Sequence, residues 1–352
     1  METLTSREGL LGAALLAAGI AVLAWIATRW VTAALTRAAV LDRPNPRSSH
    51  GAPTPRGGGI AVLAVALPFM AGIYGLHDPA NIEAFAVVVA AAALGALSWL
   101  DDLRGLPAAL RLAAHAVAAA AVLALMPGTL LVFQGALPVA LDRAAAALVW
   151  VWFVNLYNFM DGIDGIAGVE TASIGAGLFA VALAVGGTVG PAAVALALAA
   201  LVVAAAAIGF LALNWHPARV FLGDVGSIPL GFVLGWFLLT VAAWGYWAAA
   251  LILPGYYLAD ATITVARRAC RGEPVWRAHA EHFYQRAVRR GLGHGRVARF
   301  VLAGNIALAV LAFLSTQVLT ATGDALCLGG AALVVTVMLA WLARGGGAGA
   351  GA

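Results

Sequence analysis

Long apolar segments follow one another along this sequence, separated only by short polar stretches. A helix needs roughly 20 apolar residues to cross a bilayer core about 30 Å thick. Segments of suitable length lie near 8–28, 59–76, 84–100, 108–126, 142–157, 167–186, 191–213, 228–246, 248–267, 298–318 and 326–343. Charged residues make up only 10% of the chain, against about 25% in soluble domains. The pattern predicts an all-α polytopic membrane protein with about eleven transmembrane helices. We expect one integral membrane domain over residues 1–344 and a disordered Gly/Ala tail at 345–352.

The arginines divide the loops between two sides of the membrane. The chain has twenty arginines and no lysine. With eleven crossings, eighteen of them fall in one set of loops or, for Arg299, just beside it; this set is formed by 29–58, 101–111, 158–166, 214–227, 267–297 and the C-terminal tail. The positive-inside rule assigns this set to the cytoplasm. We therefore expect a periplasmic N-terminus and, because most loop acids lie in the same set, a functional site at the cytoplasmic face.

Two adjacent acids, Asp101 and Asp102, end the predicted third helix. Adjacent carboxylates repel each other, so at least one of them needs a cation or a proton. Acids also oppose the helix dipole at a C-terminus. A solvated helix end is the alternative, but an acid pair at membrane depth favours a functional role.

The stretch NLYNFMDGIDGIAG, residues 155–168, interrupts two apolar runs. If the helix continues, Asp161 and Asp164 share a face and Asn158 lies near Asp161. Their oxygens are the hard ligands that Mg²⁺ prefers. A Gly-rich turn between helices would explain the glycines but not the four polar side chains.

Three further segments carry polar residues in the same set of loops. FLGDVGS, residues 221–227, places Asp224 among small residues. The loop after the ninth segment combines His279 and His282 with Arg286, which indicates a phosphate site rather than a metal site because nearby cations disfavour another cation. Anchoring to anionic lipid head groups is the alternative, and it leaves the histidines unexplained. The Pro/Gly-rich loop at 42–59 contains Arg56 and ends in three glycines that could approach an anion.

Asp260 lies inside the ninth apolar segment. An acid within the membrane is a functional candidate by default. It could equally be a structural partner for Arg267 or another arginine, and the residues leave both roles open.

Five of these motifs, in this order, resemble the polyprenyl-phosphate N-acetylhexosamine-1-phosphate transferases, of glycosyltransferase family 4. They are DRPNPRSSHGAPTPRGGG, WLDDLRGL, NLYNFMDGIDGIAG, FLGDVGS and HAEHFYQR, within residues 42–290. The resemblance implies transfer of a sugar 1-phosphate from a UDP-N-acetyl-sugar to undecaprenyl phosphate, with Mg²⁺ as cofactor (Mn²⁺ as a substitute) and UMP as product. It implies a bacterial inner-membrane enzyme whose partners are that nucleotide sugar and that lipid, with no nucleic acid. Assembly as a homodimer is compatible with this expectation.

The resemblance also implies roles for individual residues. Asp224 and Asn158 look like metal ligands, and Asp101 and Asp102 like the pair that acts on the lipid phosphate or supports the metal. Asp161, His279 and His282 are expected to be catalytic. Asp164, Phe221, Arg56 and Arg286 are expected to contact the nucleotide. His279, His282 and Arg286 belong to the loop that is expected to close over the diphosphate.

One departure from the family pattern bears on specificity. Tyr284 and Gln285 stand where relatives often carry histidines. This form resembles the branch that initiates O-antigen synthesis with GlcNAc, FucNAc or QuiNAc donors, and it disfavours the phospho-MurNAc-pentapeptide branch. A proton-coupled secondary transporter is the competing class, with Asp260 in a proton relay. For the transferase, direct attack by the lipid phosphate is favoured over a covalent step through Asp101 or Asp102.

Overall fold

Thirteen helices and one short pair of strands are found in the computed structural model, which describes residues 6–44, 51–275, 279–318 and 320–345. The helices are α1 (Arg7–Arg37), α2 (Gly59–His77), α3 (Ile82–Arg104), α4 (Ala108–Leu125), α5 (Val139–Phe159), α6 (Ile166–Val189), α7 (Pro191–Asn214), α8 (Asp224–Ala243), α9 (Trp247–Ile252), α10 (Gly255–Cys270), α11 (Phe283–Arg289), α12 (His294–Gln317) and α13 (Ala321–Arg344). The strands β1 (Leu41–Asp42) and β2 (Thr54–Pro55) pair antiparallel. The prediction of an all-α polytopic membrane protein is confirmed. The expected tail falls almost wholly outside the described residues.

Ten of these helices are long and apolar enough to cross a membrane. The exception among the expected crossings is the segment 248–267, where the prediction of one continuous helix was wrong. The segment is divided into α9 and α10 at Leu253 and Pro254. Proline has no N–H and clashes with the preceding turn, so α9 ends there and α10 begins after it. The expected turn at 243–247 is confirmed, since α8 ends at Ala243 and α9 begins at Trp247.

The central helix of the bundle is α8, which is buried along its whole apolar length. It packs against α2, α3, α5 and α9. Small residues allow these close approaches: a Cβ added to Gly59 would lie 2.2 Å from the Cα of Gly226. Trp150 on α5 stacks on Phe232 and donates a hydrogen bond to its backbone carbonyl (2.9 Å). Asp224, the first residue of α8, is thereby held at the end of the most buried helix.

A short backbone pairing joins the β2 strand to the segment before α8. Arg56 forms an isolated parallel bridge with Phe221, and the amides of Gly57 and Gly58 both donate to the Phe221 carbonyl. Gly57 has a φ of +120°, which is available to glycine and strained for other residues. The loop 51–58 therefore folds back onto the N-terminal end of α8 and brings Arg56 beside Asp224.

Candidate active site

Three acids and two arginines meet at one end of the helix bundle. Arg56 places its Nη2 2.8 Å from one oxygen of Asp102 and 2.8 Å from one oxygen of Asp224. Arg111, on the first turn of α4, lies 2.8 Å from Asp101 and 3.5 Å from Asp224. Asp101 and Asp224, 123 residues apart in the chain, are thus brought together where the end of α3 meets the starts of α4 and α8. The acid pair and Asp224, singled out separately in the sequence, form one cluster.

The two carboxylates of α3 are held from both sides. Asp101 accepts a hydrogen bond from the Leu106 amide at 2.5 Å as well as from Arg111. Asp102 accepts from the Val225 amide at 3.3 Å, and its side chain is only 3% exposed. All four oxygens of the pair therefore have donors, which fixes the orientation of both side chains.

Asn158 joins this cluster from the last turn of α5. Its amide oxygen accepts a hydrogen bond of 2.7 Å from the Ser227 hydroxyl, one turn into α8. Asp161 follows in the turn between α5 and α6. Burial, together with the nearby charges of Asp224 and Asp102, raises the pKa of Asp161 to about 7, although Arg56 acts in the opposite direction. A carboxyl group so placed ionises readily only when a cation is near.

These residues surround a polar cavity of about 300 Å³. Its walls come from β1, the Arg56 loop, the α5–α6 turn, the end of α7, the start of α8 and α11: Asp42, Arg56, Asn158, Asp161, Gly162, Ile163, Asp164, Asn214, Phe221, Leu222, Gly223, Asp224 and Gln285. Six of the expected site residues, Arg56, Asn158, Asp161, Asp164, Phe221 and Asp224, line it together. Asp101 and Asp102 do not line the cavity. Asp102 contacts Arg56, which lines it, and Asp101 contacts Arg111.

Asp164 is held by two histidines that were not predicted. His216 lies 2.6 Å and His294 3.3 Å from its two oxygens, and the Ala218 amide donates at 3.2 Å. Burial alone would raise the pKa of this carboxyl group, but the histidines and the amide outweigh it and lower the pKa to about 2. Asp164 is therefore a fixed anion, and the cluster ties together the α5–α6 turn, the end of α7 and the start of α12.

A second unpredicted residue, Asn214, ends α7 beside this cluster. Its side chain accepts from the Gly165 amide at 3.0 Å and donates to the Val220 carbonyl at 2.9 Å. It thereby connects the DGIDG turn to the strand-like segment before α8. Both Asn214 and His216 stand where an apolar helix ends, which is the signal that the sequence offered for them.

The histidine loop is arranged differently from the expectation that His279, His282 and Arg286 line the site. His282 is 2% exposed and turns its Nδ1 toward Asp260 at 3.2 Å. Arg286 is exposed on α11. Burial, His282 and Arg268 lower the pKa of His279 to about 4, so this histidine is neutral at neutral pH. None of the three side chains lines the described part of the polar cavity.

Gln285 and Tyr284 are the residues of this loop that reach the site. Gln285 lines the cavity. The Tyr284 hydroxyl donates to the Phe159 carbonyl at 3.0 Å, and a Cβ on Gly162 would lie 2.3 Å from it. Gly162 is therefore required for the close approach of α11 to the DGIDG turn.

Asp260 holds this loop in place. Its oxygens accept from the backbone amides of Phe283 (3.0 Å) and Tyr284 (3.3 Å), in addition to the contact with His282. The hydroxyls of Tyr256 and Thr264 complete the set at 3.2 and 3.4 Å. The expected arginine partner is not among the contacts of Asp260 in the described residues, which lie mainly at the start of α11. Arg267 stacks over the ring of Phe283 instead.

A further buried polar pair, absent from the sequence predictions, joins α6 to α12. The Asn305 amide donates to Glu170 at 2.7 Å, and the two residues are 2% and 0% exposed. The same two helices are also joined near their starts, because Asp164 lies in the turn before α6 and His294 is the first residue of α12. An acid inside an apolar helix was a signal that the sequence contained.

A second cavity, of about 440 Å³, shares Asn158 with the first. It is lined by Ala108, Arg111, Leu112, His115, Leu148, Val151, Trp152, Asn155, Asn158, Phe159, Ile228, Val265 and Val275. Arg111 and Asn158 form its polar end, and aliphatic and aromatic side chains of α4, α5 and α10 form its walls. Asn158 lines both cavities.

Comparison with known proteins identifies the family. The profile of glycosyl transferase family 4 matches residues 84–242. The decaprenyl-phosphate N-acetylglucosaminephosphotransferase of Mycolicibacterium smegmatis is 29% identical over 91% of this chain and 85% of its own length. The Mycobacterium tuberculosis protein of the same name (strain H37Rv) is 30% identical over 80% and 77%.

A third relative comes from Bacillus subtilis. The probable undecaprenyl-phosphate N-acetylglucosaminyl 1-phosphate transferase of that organism is 30% identical over 72% of this chain and 71% of its own length. Residues 84–242, which the family profile matches, contain the acid pair, Asn158, the DGIDG turn and Asp224. The fold brings these residues to one end of the bundle. The chain therefore belongs to glycosyl transferase family 4, in the family of polyprenyl-phosphate N-acetylhexosamine-1-phosphate transferases.

Proposed function

We propose that this protein transfers an N-acetylhexosamine 1-phosphate from a UDP-sugar to a polyprenyl phosphate, with UMP as the second product. The observation that carries the proposal is the position of Asn158, which lines both a polar cavity and an apolar one. A reaction between a water-soluble donor and a lipid acceptor needs such a meeting point. The names of the relatives support N-acetylglucosamine as the sugar and polyprenyl phosphate as the acceptor.

The polar cavity suits a nucleotide sugar. Its acidic and amide residues lie beside Arg56, and Phe221 is part of its wall. The backbone of Phe221 is fixed by three hydrogen bonds, one donated to Pro55 and two accepted from Gly57 and Gly58. A fixed aromatic ring beside hydrogen-bonding groups favours stacking on a base. We assign Phe221 and Asp164 to the nucleoside end and Arg56 to the diphosphate.

The donor set at this end of the bundle fits Mg²⁺. Asp102 and Asp224 converge on one cationic group, the Nη2 of Arg56, and the Asn158 oxygen lies on the same cavity wall. Carboxylate and amide oxygens are the ligands that Mg²⁺ prefers. We propose Asp224 and Asn158 as its main ligands, with Mn²⁺ as a substitute. When bound, the ion neutralises the charge of the donor diphosphate.

We favour direct attack by the lipid phosphate. An oxygen of that phosphate forms a bond with the sugar-bearing phosphorus, while the bond to the bridging oxygen breaks and UMP leaves with it. In the covalent alternative, Asp101 or Asp102 would supply the attacking oxygen. Both oxygens of each already accept a hydrogen bond or an ion pair, which lowers their nucleophilicity. One displacement inverts the configuration at phosphorus, and a chiral-phosphate donor that gave net retention would contradict the direct route.

The transporter alternative gains little from this arrangement. A proton relay needs an acid that is free to exchange its proton along a polar path. The oxygens of Asp260 instead have five donors, three of them at the start of α11. The polar groups gather at one end of the bundle, where a transferase site would meet the nucleotide.

A transfer assay tests the proposal. Purified protein in detergent receives labelled UDP-GlcNAc, undecaprenyl phosphate and Mg²⁺. We expect a butanol-extractable labelled lipid and an equal amount of UMP, both lost with EDTA. UDP-FucNAc and UDP-QuiNAc in parallel distinguish the O-antigen type of donor. Absence of the labelled lipid with every donor, from protein that remains folded, would overturn the proposal.

A further inference from the structure

His115 is a buried polar residue that the arrangement above leaves unused. It lies on α4 four residues after Arg111, so both side chains occupy one face of the helix. His115 is 3% exposed and lines the 440 Å³ cavity. Its Nδ1 has no hydrogen-bond partner among the described residues. A buried nitrogen in this condition is unfavourable unless a ligand satisfies it.

The cavity around His115 has the character of an amphiphile site. Leu148, on its wall, is 73% exposed on the lipid-facing side of α5, so the cavity is bordered by surface that the membrane covers. Arg111 stands at the opposite, polar end, where it contacts Asp101 and Asp224. A molecule with an apolar chain and an anionic head group would match this gradient.

The other polar groups of the cavity already have partners. Arg111 is paired with two acids, the Asn155 amide donates to the Val151 carbonyl at 2.7 Å, and the Asn158 oxygen accepts from Ser227. Among the buried side-chain atoms without a partner in the described residues, the His115 nitrogen is the one that lies in this cavity. His115 is therefore the fully buried group of this cavity with an unused hydrogen bond to offer.

We propose that His115 binds the phosphate of the polyprenyl phosphate acceptor, with Nδ1–H donating to a phosphate oxygen. The inference rests on the proposed function and adds a residue that recognises its lipid substrate. Arg111 supplies charge to the same head group, and His115 supplies a neutral donor one turn deeper. The phosphate is thus held next to Asn158, where the two cavities meet.

Equilibrium binding without a nucleotide donor tests this assignment. Undecaprenyl phosphate and undecaprenol, which lacks the phosphate, are titrated separately into the full-length protein in detergent. The variants are His115→Leu, which removes the donor, His115→Gln, which retains an N–H donor, and His77→Leu, a matched change at the exposed end of α2.

We expect His115→Leu to bind undecaprenyl phosphate roughly tenfold to a hundredfold more weakly, the cost of one hydrogen bond to a charged group. Its binding of undecaprenol should not change. His115→Gln should recover most of the affinity, and His77→Leu should match the wild type. If His115→Leu binds both lipids as the wild type does, or loses both equally, the proposal is wrong.

Two further measurements distinguish lipid binding from binding of free phosphate, and binding from transfer. Inorganic phosphate that displaced the lipid at equal concentration would assign the contact to free phosphate and overturn the lipid assignment. Transfer activity is measured apart from binding. Wild-type protein that binds the phosphate lipid through His115 but makes no labelled product would contradict the proposed function alone.

Discussion

Asp224 shows most directly how single residues define this site. It is the first residue of the central helix, and its two oxygens face Arg56 and Arg111 at 2.8 and 3.5 Å. Asp164, 60 residues earlier in the chain, serves the same cavity but is enclosed by two histidines and an amide. The Asp224 carboxylate faces two arginines, whereas the Asp164 carboxylate is an anion held between two histidines, so the two lead to different predictions.

Asp224→Asn should reduce transfer at least roughly a hundredfold, because the amide preserves size but removes a charge that both arginines contact and that the proposed Mg²⁺ would use. The initial rate of labelled lipid formation across a Mg²⁺ series measures this. Asp324→Asn, near the other end of the bundle, is the matched control. Near-wild-type rates in Asp224→Asn would remove Asp224 from the site.

Asp164 should contribute to stability in a pH-dependent way. Its pKa falls from 3.8 to about 2 in the folded protein, so its contribution is complete above about pH 4 and is lost as the pH falls toward 2. The thermal unfolding of wild type and Asp164→Asn in detergent, compared between pH 2 and pH 7, measures the difference. We expect a constant gap above pH 4 that narrows at lower pH; a gap independent of pH would contradict the assignment.

At the scale of elements, the break between α9 and α10 matters because it places Asp260 of α10 beside the short helix α11. Because α10 begins after Pro254, Asp260 lies under the start of α11 and accepts both of its first amide hydrogens. Helix α11 in turn places Gln285 on the cavity wall and Tyr284 against the DGIDG turn. We therefore propose that Asp260 positions the part of the cavity that would bind the sugar donor.

Asp260→Asn should raise the KM for the UDP-sugar roughly tenfold and leave the KM for the lipid unchanged. Each oxygen of Asp260 accepts one backbone hydrogen bond, and the amide of asparagine replaces one of these oxygens by a donor. Steady-state kinetics with each substrate varied in turn measures the split. Tyr256→Phe removes one donor to Asp260 and keeps the backbone contacts, so it should stay close to wild type. Equal changes in both KM values, or none, would argue against a positioning role.

At the scale of the whole molecule, the helices are organised around α8, and the polar groups collect where its N-terminus meets the ends of α3, α5 and α7. Most of the arginines lie toward that same end of the helices. We propose, from the positive-inside rule, that this end faces the cytoplasm, which is also where a UDP-sugar would be available.

The orientation can be tested with the two native cysteines. Cys270 is exposed at the end of α10, on the side that carries the site. In a Cys327→Ser background, a membrane-impermeant maleimide should label Cys270 in inverted vesicles and not in intact cells. A protein lacking both cysteines and carrying Asp78→Cys, in the loop between α2 and α3, should show the opposite pattern. Labelling of Cys270 in intact cells would reverse the topology.

Much of the fold could be predicted from periodic hydropathy alone, because a bilayer admits almost only helices of sufficient length. The break at Leu253–Pro254 was missed because Pro254 lies within an apolar run whose length suited one crossing. The helix α11 was missed because seven residues in an Arg-rich loop carry no apolar period. Six of the residues singled out by the motifs line one cavity, whereas the positions of His216, His294 and Asn214 depend on contacts between segments far apart in sequence.

The sequence by itself determined that the chain is a helical membrane protein, which family it resembles, and which acids mark its site, since hydropathy and motif spacing are local properties of the chain. The tertiary structure alone decided which groups face each other. It turned His282 away from the cavity and toward Asp260, enclosed Asp164 between two histidines, and left His115 in a lipid-side cavity without a partner. Those outcomes depend on the free energy of burying each polar group against its neighbours, and the neighbours are known only when the helices are packed.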